Sequence, residues 1–132
     1  MNLIVDTSVW SLALRRDPPA NHPKVALLEE LIKNGESIYL LGVIVQEILQ
    51  GIRKTSNFKK VMEHLSAFPV IHLRLDDHVE AAKLWNHCAS KGVLAGTIDF
   101  LIAAVAIRSH CRLLTTDEDF SRIARHSKLR VL

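Results

Sequence analysis

Two cysteines among 132 residues, Cys88 and Cys111, are too few to staple a disulfide scaffold. They read instead as buried, reduced thiols of a cytoplasmic protein. Long apolar runs are missing as well. The longest, Phe100 to Ile107, falls far short of the roughly 20 residues that cross a bilayer, so no membrane is expected. Met1-Asn2-Leu3-Ile4-Val5-Asp6 offers no basic leader and no small-residue cleavage site, which argues against a secretory signal. The five glycines are scattered without phosphate-loop or dinucleotide-binding spacing. Seven histidines show no zinc spacing, and the adjacent pairs His87-Cys88 and His110-Cys111 are poorly placed to share one tetrahedral ion. No repeat, linker or low-complexity stretch appears. A single domain over residues 1–132 is expected.

What is present is ordinary globular material, 48% hydrophobic and 23% charged, which excludes a disordered chain. The net charge of +3 is unevenly laid out. Arg53, Lys54, Lys59 and Lys60 stand against Glu63 alone in residues 51–64. A second basic stretch runs from Arg108 to Arg130, leaving the rest of the chain acidic. Clustered Lys and Arg can mark a polyphosphate partner, and solvated helix faces explain them equally well. The first cluster is a candidate contact for the backbone of such a polyphosphate.

Short apolar runs alternate with helical periods. Residues 3–5, 38–41, 70–73, 112–115 and 129–132 read as strands. Helices are predicted over 9–14, from Pro23 to about 33, and over 43–52, 58–67, 77–91, 98–107 and 119–125. Met62 should face inward on the fourth, and Val79, Ala82, Leu84 and Trp85 on the fifth. The sixth, apolar on every side, has to be central. This alternation predicts an α/β fold with a mainly parallel sheet of about five strands, covered on both faces.

Four acids stand where packing alone would not ask for them. Asp6 ends the first strand, at the edge where parallel α/β sheets gather their ligands, although helix capping also explains it. Glu47 is flanked by aliphatics in Val45-Gln46-Glu47-Ile48-Leu49. Asp99 opens the apolar helix Asp99-Phe100-Leu101-Ile102-Ala103-Ala104, where the helix dipole favours an acid but burial penalises one. Asp117 follows the fourth strand. Thr116 with Asp119 matches a capping box, so Asp119 has the stronger structural reason to be there. Carboxylates brought to one edge repel unless a cation neutralises them. Oxygen ligands alone select Mg2+ or Mn2+ over zinc. Such a site can activate water and stabilise a leaving oxygen, so the pattern points to phosphodiester hydrolysis.

Asp6-Thr7-Ser8, Glu47 in Gln46-Glu47-Ile48-Leu49-Gln50-Gly51, Asp99-Phe100-Leu101-Ile102-Ala103-Ala104, and Thr115-Thr116-Asp117-Glu118-Asp119-Phe120 together resemble a PIN domain over essentially the whole chain. The similarity is greatest to the VapC-type toxins of bacterial and archaeal toxin–antitoxin pairs. The resemblance implies a three-layer α/β/α sandwich and a Mg2+- or Mn2+-dependent endoribonuclease. It also implies a homodimer and a cognate antitoxin that reaches the acid pocket with a basic side chain. It places the metal-binding and catalytic acids at Asp6, Asp99 and Glu47, with Asp117 fourth and Asp119 in reserve. Ser8 matches a small polar position that supports the first acid, with Ser in place of the more usual Asn.

Two other classes fit these residues less well. A phosphoaccepting dehalogenase-type site would want a second Asp where Ser8 stands, and a receiver domain would want a phosphoacceptor where Leu73-Arg74-Leu75 offers none. A catalytically inactive PIN-like nucleic-acid-binding or regulatory module would have no need of four acids.

Overall fold

The computed structural model describes residues 1–132. Strand β1 (Asn2–Val5) is followed by helices α1 (Thr7–Leu14) and α2 (Pro23–Lys33), and β2 (Ser37–Leu41) by α3 (Gly42–Leu49) and α4 (Thr55–Leu65). Then come β3 (Val70–Ile71), α5 (Leu75–Ser90), α6 (Thr97–Arg108), β4 (Arg112–Leu114) and α7 (Glu118–Ala124). The sheet runs in the order β3-β2-β1-β4, and every pairing is parallel. Leu3 pairs with Ile38 on one side and Arg112 on the other, so β1 is central. Leu3, Ile4 and Val5 are wholly buried. A strand covered on both faces has no need of polar alternation, which is why this run is uninterrupted.

Connection handedness sorts the helices. The first two crossovers step outward from β1 to β2 to β3, and the third returns across the sheet to β4. With right-handed crossovers, α1–α4 lie on one face, and α5 and α6 on the other. The packing agrees: α1 touches α2 and α3, whereas α6 touches α5 and α7. Three layers result, as expected. In α6, every residue from Phe100 to Ala106 is buried, the expected central helix.

Several details depart from the sequence expectation. The fifth strand shrinks to one parallel bridge, Leu113 with Val131, because only Arg130 and Leu132 exchange backbone bonds with Leu113. Helix α3 stops at Leu49 instead of Ile52; Gly51 turns the chain at φ +89°, a conformation that side-chain-bearing residues resist. Met62 on α4 is exposed, as are Val79 and Trp85 on α5, where Asp77, Ala81 and Cys88 turn inward instead. Cys88 and Cys111 are buried and unpaired. No helix is long and apolar enough to cross a membrane.

Candidate metal centre

The sheet changes winding direction between β1 and β4, and the crevice at such a switch point is where open α/β sheets bind ligands. Asp6 sits there, directly beyond the carboxyl end of β1. Its backbone N–H donates to Leu114 O across the switch (2.9 Å). The side chain is 7% exposed and caps α1, accepting from Ser8 N at 3.4 Å. Two hydroxyls also converge on Oδ2: Ser8 Oγ at 2.8 Å and Thr115 Oγ1 at 2.9 Å. All three protein donors fall on one oxygen, so Oδ1 retains its lone pairs for another ligand.

Asp99 enters from the opposite layer, in the first turn of α6. Gly96 N donates to its Oδ2 at 3.2 Å. A methyl group on Gly96 would approach that oxygen to 3.3 Å, so a residue without a side chain suits this close approach. Asp117 caps α7, its Oδ1 accepting from Asp119 N at 2.9 Å. This reverses the capping assignment made from sequence: the capping box of Thr116 and Asp119 does not form, and Asp117 supplies the cap. Asp119 instead pairs with Arg122 one turn further along α7.

Asp99, Asp117 and Asp119 each place a carboxylate oxygen within 4.8 Å of the others. Burial pushes the Asp99 carboxyl above its ordinary range; Gly96 N–H opposes this, while the charges of Asp117, Asp6 and Asp119 add to it. Mutual repulsion among oxygen donors is what a hard divalent cation relieves. The donor set therefore fits Mg2+ or Mn2+. Glu47 lies outside this trio. Its Oε1 accepts from Thr7 Oγ1 at 3.0 Å, which ties the third expected acid to the residue beside Asp6.

Thr115 carries more than its sequence position suggested. This buried hydroxyl donates to Asp6, accepts from Asp117 N at 3.0 Å, and lies 3.4 Å from Ser8 Oγ. Ser8 Oγ in turn accepts from Thr116 N at 3.1 Å. One network thus joins the end of β1 to the start of α7. The available signal was a threonine directly after the buried pair Leu113-Leu114, where another aliphatic would be the plain choice. Arg53, Lys54, Lys59 and Lys60 are exposed, and none hydrogen-bonds to an acid of the centre.

The sequence matches the PIN domain family over residues 3–126. The chain belongs to that family. It is 30% identical to Ribonuclease VapC1 of Rickettsia felis, with 93% of this chain and 91% of that one aligned. Ribonuclease VapC11 of Mycobacterium tuberculosis is 29% identical, with 96% and 95% aligned. Among solved structures, VapBC2 of Rickettsia felis bound to promoter DNA superposes with a TM-score of 0.76 at 22% identity, covering 100% of this PIN domain and 98% of that chain.

Proposed function

We propose that this PIN domain is a metal-dependent endoribonuclease and acts as the toxin of a toxin–antitoxin pair in the cytoplasm. The observation that carries the reading is the convergence of Asp99, Asp117 and Asp119 within 4.8 Å at the switch point beside Asp6. Relatives named as VapC ribonucleases, aligned over nearly their full length, supply the substrate class.

Asp6 (through Oδ1), Asp99, Asp117 and Asp119 are the residues that would hold the cation. Bound there, Mg2+ or Mn2+ would lower the pKa of a water and screen charge on the phosphate. The chain supplies the frame. Ser8 and Thr115 fix the Asp6 carboxylate, and Gly96 N–H fixes that of Asp99. Thr7 holds Glu47 next to Asp6, where it can accept a proton from water entering the crevice. Arg53, Lys54, Lys59 and Lys60 bind the RNA backbone. The partners are RNA, a second copy of the chain and a cognate antitoxin that closes the acid pocket with a basic side chain.

Water as nucleophile leaves the 2′-hydroxyl unused, so products carry 5′-phosphates. Sequencing RNA ends after brief expression without the antitoxin tests this directly. Ligatable 5′-phosphate ends are expected, and 2′,3′-cyclic phosphate ends would refute the mechanism.

A further inference from the structure

A second recess lies at the opposite end of α1 from the acids, a cleft of about 630 Å3 between α1–α2 and the α3–α4 segment. Its rim carries Arg15, Arg16, Arg53, Lys54, Lys60 and His64 against two acids, Asp17 and Glu29. Its floor is apolar: Trp10, Leu28, Ile52 and Val61. Trp10 is 2% exposed, and its indole Nε1 has no hydrogen-bond partner. The indole N–H is enclosed behind the floor, so its unpaired state is a cost to the fold and the ring's edge, not its donor, borders the cleft. Trp10 rests at a tilt against Phe68, ring centroids 5.3 Å apart, which fixes the plane of the indole.

We infer that this cleft is a nucleotide subsite for the RNA strand on one side of the scissile phosphate, with phosphates on the cationic rim and an unpaired base against the floor. The inference rests on the ribonuclease reading above. Its geometry follows from α1, whose eight residues extend about 12 Å and carry the acid centre at one end and Arg15 at the other. A strand leaving the acids along α1 reaches the cleft within a few nucleotides. Five Arg and Lys side chains on one rim suit a polyanion, and the apolar floor suits a base, which a free phosphate lacks. Three members of the basic cluster noted in the sequence, Arg53, Lys54 and Lys60, are drawn into this cleft, whereas Lys59 is not among its walls. Arg15 and Arg16 join them from a distant part of the sequence.

The test is binding of a ten-nucleotide single-stranded RNA to the full chain in EDTA, so that binding is read without cleavage. Exposed Arg16 and Lys54 are replaced together by alanine, with far-ultraviolet circular dichroism confirming the fold. Affinity is expected to fall about tenfold, and the slope of log K against log salt to shrink by about 1.4, the value for two single-strand phosphates. In a Trp85→Phe background, which leaves Trp10 as the sole indole, RNA is expected to quench or shift emission. Unchanged affinity and slope, with a silent Trp10, would overturn the inference. So would variants that keep RNA affinity but release a protein antitoxin, since the cleft would then be a protein-docking surface. If the unmodified protein binds RNA in this way yet cleaves none with Mn2+, the ribonuclease reading fails, while RNA binding at the cleft stands.

Discussion

Asp99 shows at the scale of one side chain how a site can oppose the fold that carries it. Burial and three neighbouring acids raise its carboxyl pKa, so the folded state binds that proton more tightly than the unfolded chain does. The destabilisation is therefore fully present above the raised folded pKa and relieved as pH falls through it towards the ordinary value. Asp99→Asn, which keeps the shape and removes the charge, is expected to raise the melting temperature of the metal-free protein at pH 7. The same change should abolish the further rise that Mn2+ gives the unmodified protein. Calorimetry with and without Mn2+ checks both. Thr115→Val tests the frame in the opposite sense. It removes one of three donors to Asp6 Oδ2 and the acceptor for Asp117 N. A loss of about 1–3 kcal/mol in urea unfolding, with reduced RNA cleavage, is expected. Unchanged stability would mean that this network holds nothing.

The joint between α5 and α6 matters most at the scale of elements. Asp77 in the first turn of α5 is 1% exposed and accepts from Arg108 Nε at 2.5 Å, Arg108 Nη2 at 3.0 Å and Arg74 N at 2.9 Å. Burial pushes the Asp77 carboxyl up, but Arg108 and the Arg74 N–H together outweigh it and hold the carboxyl below its ordinary value. Its contribution is present above the unfolded pKa near 3.8 and disappears as pH falls through the depressed folded value. Asp77→Ala, which leaves the part-buried Arg108 without its partner, is expected to cost about 3 kcal/mol at neutral pH. The cost should shrink in acid, as denaturant titrations from pH 7 to pH 2 would show. Local pattern accounts for Asp76-Asp77 as the acidic start of the helix predicted over 77–91 and asks nothing more of the pair. Arg108, at the far end of the next helix, could not be paired with it from local pattern. The same limit misplaced Val79 and Trp85: helical period marks an apolar face but not which of two flanking faces finds a neighbour. Strand β1 was legible because its run Leu3-Ile4-Val5, buried on both faces, is apolar throughout, and β2 and β4 because their buried aliphatics Ile38, Leu40, Leu41, Leu113 and Leu114 stand close together. The fifth was read too long, because residues 129–132 look like a strand end while only the bridge of Val131 with Leu113 forms.

The whole molecule separates its charges, and the sequence showed that division more clearly than it showed the contacts. Positive segments after Glu47 and near the carboxyl end stood out as arithmetic. Only the fold shows that Arg15 and Arg16 join Arg53, Lys54 and Lys60 at one cleft, while Asp6, Asp99, Asp117 and Asp119 gather about one helix length away. Asp6 and Asp99 stood out as candidates because each stands at an element boundary beside apolar residues, although capping and the helix dipole give each a structural purpose as well. Asp117 was placed ahead of Asp119 from sequence, yet the start of α7 brings both into the same cluster with Asp99. Exposed Leu75, Val79 and Leu94 leave apolar surface on and beside α5, and sedimentation equilibrium is expected to return a dimer mass. The central claim is that these acids hold a divalent cation with which the protein cuts RNA. The most direct measurement is cleavage of a single-stranded RNA by metal-free protein titrated with Mn2+, for the unmodified chain and Asp99→Asn in parallel. Activity should be absent in EDTA, return with Mn2+ only in the unmodified chain, and be lower by about a hundredfold or more in the variant. Full cleavage in EDTA, or equal rates for the two proteins, would contradict it.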